Sequence, residues 1–259
     1  MSRTKVLVAL DDGHGMETAG KRTPAFPDGS VMKENEFNSS VAAYLKDALE
    51  RCGFAVLLVA PENTDTPLKT RVVRANDANA AAYISIHANA YGSDWNSANG
   101  IESILYEKIM GHSKTYEFAQ NIHDALLAGT GRRNRGIRRS SDLYVLKSTK
   151  MHAVLLECGF MTNREEAELL KSDDYRRRCA ESICRGVCTF YKTEYNAPEK
   201  KAGERYNELD ELPKWAKPLL GEMAEKGCFG NQKAMDVSQD MIRTMVLLDR
   251  LWKKRGGMA

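Results

Sequence analysis

The stretch VLVALDDGHG, residues 6–15, runs five apolar residues into two carboxylates and then sets a histidine between two glycines. The apolar run reads as a buried strand. The glycines let the backbone bend sharply where the strand stops and present His14 to a ligand. A tight turn carrying a solvent-exposed histidine is the plainer alternative.

Outward from this stretch the pattern repeats. Residues 54–59, 82–87, 101–106, 143–146 and 154–157 are short apolar runs that read as strands. Residues 39–51, 68–79, 113–127 and 174–195 carry apolar residues at helical spacing. The alternation predicts an α/β fold with a mostly parallel or mixed central sheet flanked by helices. In such sheets ligands gather at the carboxyl ends of the strands. This first domain is expected to span 1–195. NAPEKKAGER, residues 196–205, is polar, lacks periodicity and reads as a linker. Residues 206–259 then give a small module of two helices, 215–226 and 238–254, joined by the turn GCFGN.

The balance of 38 basic and 35 acidic residues leaves a net charge of only +3, so no global field draws the chain to nucleic acid or membrane. No apolar run approaches the roughly 18 residues of a membrane span. The first apolar run is also too short for a secretory segment of about 7–15 residues, which implies synthesis in the cytoplasm. Six cysteines, with no CxxC pair, are expected to stay reduced. A metal cluster of Cys179, Cys184 and Cys188 is one reading of their spacing, and thiols packed as small hydrophobes is the favoured one.

SIHAN, residues 85–89, delivers His87 to a strand end as the first strand delivers His14. Two histidines at neighbouring strand ends can converge on a metal, and a zinc hydrolase needs a third ligand with one position left open. KENEFNSSVAAYLKDALE, residues 33–50, opens a helix whose apolar stripe is Phe37, Val41, Tyr44, Leu45 and Ala48. Stepping back by three and seven residues lands on Glu34, which therefore faces the sheet. Glu36, about 200° around the helix, faces solvent. Asn38, one turn on, can orient the Glu34 carboxylate, and Asp11 the His14 imidazole. The plain alternative for Glu34 is a favourable charge at a helix N-terminus. Glu157 ends the last strand, where a carboxylate must be paired or neutral unless it has a task. Beside a metal it can take the proton of an attacking water and pass it to a departing amine.

Taken in order, DDGHG, KENEFN, SIHAN, NRGIRRSSDLYVLK and AVLLECGFMTN resemble the zinc-dependent N-acetylmuramoyl-L-alanine amidases of the family-3 type. GHGMETAGKRTP is most similar to their phage endolysin branch. The resemblance covers about residues 4–194 and implies Zn²⁺ held by His14, Glu34 and His87, with Glu157 as the catalytic glutamate. It implies peptidoglycan as the substrate and partner, cut between N-acetylmuramic acid and L-alanine after release to the cell wall. Asn89 and Arg138 are candidate substrate contacts. Met16 and His152 depart from the family pattern, at positions often glycine and proline. His152 should lie at the far edge of the sheet, and His112 and His123 on the surface.

Five arginines between 132 and 139 make a local positive field. Without interleaved aromatics or a basic helix they read as a solvated loop, or one gripping acidic stem-peptide groups, rather than a nucleic-acid site. A zinc peptidase acting on the stem peptide and a non-catalytic wall-binding protein are the competing functions. Residues 206–259 resemble one S-layer-homology-like unit, which implies wall targeting. A helical appendage that packs on the first domain or dimerises is the alternative, and in either case Met241, Met245, Leu248 and Trp252 should form the covered stripe.

Overall fold

The computed structural model describes residues 5–62, 64–199, 205–229 and 235–254. Two compact units divide the chain at Tyr195 and Asn196. The expected linker and the turn GCFGN lie partly outside the described residues.

The first unit holds a six-stranded sheet of β1 (Leu7–Asp11), β2 (Ala55–Leu58), β3 (Ala82–Asn89), β4 (Ile101–Tyr106), β5 (Asn134–Ser140) and β6 (His152–Phe160). The order is β2-β1-β3-β6-β4-β5, and every neighbouring pair is parallel except β4 and β6. Successive residues of a strand face opposite ways. Val8, Leu10, Ile84, Ile86, Val154 and Leu156 pack with the buried faces of α1 (Glu34–Arg51), α3 (Lys114–Thr130) and α6 (Asp173–Tyr191). Ala9, Tyr83, Ala153 and Leu155 pack instead with α2 (Leu68–Asp77) and α4 (Tyr144–Ser148). The second set is the face that carries chemistry, because Asp11, Ser85, His87 and Glu157 continue its alternation to the carboxyl edge.

Two local expectations are corrected. Residues 143–146 are not a strand: they open α4, burying Val145 and Leu146. An apolar run of four is too short for its period to separate strand from helix. The arginine stretch is not a loop but the edge strand β5, where one open side tolerates charged residues. The helix α5 (Arg164–Lys171) was not anticipated; the Asn163 side chain caps it by accepting from the Glu166 N–H. Helix α1 also starts at Glu34, with the Glu36 carboxylate accepting from the Lys33 N–H.

In residues 196–259, β7 (Arg205–Tyr206) pairs antiparallel with β8 (Val237–Ser238), beside α7 (Lys217–Glu225) and α8 (Gln239–Lys254). Tyr206, Leu212, Ala216, Leu220, Val237, Ile242 and Val246 make its core. The expected stripe of α8 is out of phase. Ile242 and Val246 face inward, whereas Met241, Leu248 and Trp252 are exposed, as are Leu247 and Leu251. Apolar residues on both sides of this helix hide its phase. Among the described residues no helix is long and apolar enough to cross a membrane.

Candidate functional site

His14 leaves the end of β1 with φ +61°, in the left-handed region, directly after Gly13 at φ +31°. Glycine is required at 13, since a Cβ there would stand 2.4 Å from Cε1 of His87. The bend is held from outside. Asn35 Nδ2 donates to the carbonyls of Asp12 (2.8 Å) and Gly13 (2.9 Å), and Arg71 Nη2 donates to that of His14 (2.8 Å). His87 and Glu157 are register partners on β3 and β6, and Glu157 is in turn the partner of Glu102 on β4. Three ionisable side chains therefore stand in a row across adjacent strands.

Glu34 reaches over the strand ends from the first residue of α1. Its Oε1 lies 2.9 Å from His87 Nδ1 and its Oε2 lies 3.4 Å from His14 Nε2. One ligand atom from each of the three residues falls within 4.8 Å of the others. Two imidazoles and a carboxylate at that spacing are a donor set that fits zinc and leaves a coordination position open. Burial outweighs the Glu34 charge at His14 and lowers its pKa to about 4, so that imidazole offers a free lone pair at neutral pH. At His87 burial lowers the pKa, but the hydrogen bond and charge of Glu34 reverse the balance and raise it. Burial alone would raise Glu34, and the two histidines together hold it low. Asn38 Nδ2 donates to Glu34 Oε1 at 3.4 Å and to the Gly13 carbonyl at 3.1 Å, as its helical phase predicts.

Asp11 does not touch His14. Its Oδ1 takes Arg71, and its Oδ2 accepts from Tyr83 Oη (2.7 Å) and Ser85 Oγ (2.8 Å). Ser85 Oγ is in turn 3.1 Å from His87 Nε2, so Asp11 steadies the other histidine, through a hydroxyl. Side-chain alternation explains this, because Asp11 points to the α2 face while the chain turns away after it. Arg71, fully buried, was missed. Its signal was a cation on the inward face of α2, beside Val72 and one turn before Ala75.

Glu157 Oε2 is buried without a hydrogen-bond partner. Burial, with the Glu34 and Glu102 charges, outweighs His87 and pushes its carboxyl up to about 7. That value suits a group that must both accept and return a proton. Asn89 sits at the end of β3 with its Oδ1 turned to the Ala90 N–H. Arg138, largely exposed, reaches Glu102 Oε2 at 3.2 Å. His112 is exposed, but His123 is buried between Ser103 (2.9 Å) and Asn134 (3.0 Å), against expectation. His152 stands at the start of β6, at the opposite edge from the triad.

A cleft of about 470 Å³ adjoins the triad, lined by His14, His87, Leu68, Leu143, Tyr144 and Asp142 among others. The model of the N-acetylmuramoyl-L-alanine amidase family matches residues 8–189, which hold every residue of this site. The chain belongs to that family. It is thus a peptidoglycan hydrolase. The amidase is 32% identical over 185 residues to the N-acetylmuramoyl-L-alanine amidase LytC of Bacillus subtilis, covering 71% of this chain but only 35% of LytC. It is 32% identical over 203 residues to the endolysin of Bacillus phage SPP1, covering 75% of this chain and 71% of that one. Among solved structures, an N-acetylmuramoyl-L-alanine amidase from Clostridium difficile 630 superposes with a TM-score of 0.66 at 29% identity. That match covers 73% of this chain and 98% of the other. The catalytic domain of CwlV from Paenibacillus polymyxa gives 0.63 at 30% identity, over 72% and 98%.

Proposed function

We propose that this amidase is zinc-dependent, that His14, Glu34 and His87 hold the ion, and that Glu157 moves the proton. The observation that carries the reading is the partnerless buried oxygen of Glu157, next to three side chains with complementary donor atoms. Zinc, when bound, supplies a Lewis acid that polarises the scissile carbonyl. Glu157, poised near neutrality by burial, accepts the proton of the attacking water and returns it to the leaving L-alanine nitrogen. Asn38 and the Asp11–Ser85 pair keep Glu34 and His87 in orientation. Asn89 and Arg138 contact the substrate from the strand end and the edge strand.

Digestion of purified cell walls tests the bond assigned. New L-alanine amino termini without new reducing sugar ends are expected. Amino termini of other stem-peptide residues would instead indicate a zinc peptidase, and no new ends at all a wall-binding protein.

Residues 206–259 act, in this reading, as a wall tether that raises the local concentration of the catalytic unit. The outward apolar residues of α8, Leu247, Leu248, Leu251 and Trp252, support a surface made for contact. A chain ending at Tyr195 should cleave soluble muropeptides normally and lyse intact walls more slowly. Equal lysis, with a loss of dimer in sedimentation, would leave dimerisation as the role of this unit.

A further inference from the structure

A second group of metal-competent side chains lies at the other end of α1. Cys52 caps that helix, and Cys184 and Cys188 stand one turn apart on α6. One sulfur from each falls within 4.8 Å of the other two, and Cys184 Sγ is 3.6 Å from Cys52 Sγ. Three sulfurs at about 2.3 Å from one ion lie about 4 Å apart, so the spacing needs little adjustment to close on a cation. Glu34 begins the 18-residue helix that Cys52 terminates, which separates the two groups by about 27 Å. They are independent sites.

We propose that Cys52, Cys184 and Cys188 form a binding site for a thiophilic d¹⁰ cation, Zn²⁺ or Cu⁺. Thiolate sulfur selects these ions over Mg²⁺ or Ca²⁺. All three side chains are buried, so the site is closed to a polymeric substrate. In the metal-free protein, contacts with Cys188 and Cys52 and then burial push the Cys184 thiol up, so cation binding at Cys184 releases a proton. The other buried pair of thiols, Cys158 and Cys179, offers two sulfurs and falls short of the same site. The ion would cross-link the C-terminal end of α1 to α6, a structural staple unrelated to hydrolysis.

The test uses the full-length chain with Cd²⁺ as probe, then Zn²⁺ and Cu⁺ in separate arms. Expected are two equivalents bound to wild type, one of them giving thiolate-to-metal absorption, and, once the histidine site is removed in His14→Ala, a first coordination sphere of about three sulfurs by X-ray absorption. His14→Ala should keep this signal, and Cys184→Ser should lose it while retaining amidase activity. Tighter retention of Cu⁺ would mark a trigonal ion, and of Zn²⁺ a fourth ligand from water. If wild-type protein shows only nitrogen and oxygen around the probe, the proposal is overturned without recourse to any variant. It is equally overturned if Cys158→Ser, rather than Cys184→Ser, removes the sulfur signal.

Discussion

The two edges of one sheet behave differently. At the amino edge a groove of about 640 Å³ opens beside His152, Thr115, Tyr106, Asn79 and Lys147. At the carboxyl edge the cleft is smaller, about 470 Å³, yet it holds two histidines and several carboxylates. The amino-edge groove has one imidazole, tied to Thr115 Oγ1 at 2.9 Å and lowered in pKa by burial and Lys114. No acidic residue lines it. A cation needs converging donors with compensating charge, so volume alone does not make a site.

The strongest way to break the comparison is to remove the proposed ligands. In a Cys184→Ser background, His14→Ala, His87→Ala or Glu34→Ala should each abolish stoichiometric zinc, read by metal analysis. Equal zinc in all of them would end the assignment. Glu157→Ala should retain zinc and fold but lose on the order of 10²–10⁴-fold in hydrolysis.

Next in size is the scaffold beneath the carboxyl edge. Arg71→Met leaves Asp11 as a buried, unpaired carboxylate and should cost about 3–5 kcal/mol in denaturant unfolding. A loss under 1 kcal/mol would show that Asp11 is protonated, not held low by the arginine as its surroundings require.

The pH dependence of metal-free protein is subtler. Glu157, raised from 4.5 to about 7, contributes stability that is present at low pH and lost as pH rises through that window. His14, lowered from 6.5 to about 4, acts in the opposite sense across nearly the same range. Glu157→Gln removes only the first contribution. The variant should therefore gain stability relative to wild type, on the order of 3 kcal/mol, as pH climbs from 4.5 to 7. A constant difference across that range would place the Glu157 carboxyl at its ordinary value.

The smallest effects sharpen the contrast. His152→Ala, at the amino edge, should change neither zinc content nor hydrolysis. Glu36→Ala should also spare both, costing only a helix cap worth about 1 kcal/mol.

The residues that emerged from sequence did so through period and position. Glu34 and Asn38 follow from helical phase, and His14, His87 and Glu157 from strand ends next to glycine or polar residues. What escaped was long-range pairing. Nothing near Asp11 in the chain indicates that Arg71, 60 residues away, claims it. His123 looked superficial because one ring on a helix gives no sign that Ser103 and Asn134 will enclose it. The strand β5 was hidden by its own arginines, each of which suits an edge with one solvated side.

The sheet order has a consequence for synthesis. Strand β6 enters between β3 and β4, although it follows both and β5 in the chain. Until residue 160 has been made, β3 and β4 present bare hydrogen-bonding edges, and the β4–β5 pair has no strand joining it to the rest. A growing chain already carries His14, Glu34 and His87 at that stage but lacks Glu157. A truncated product could therefore capture metal yet stay inert, and full activity would appear in one late step, when a single central strand slots home.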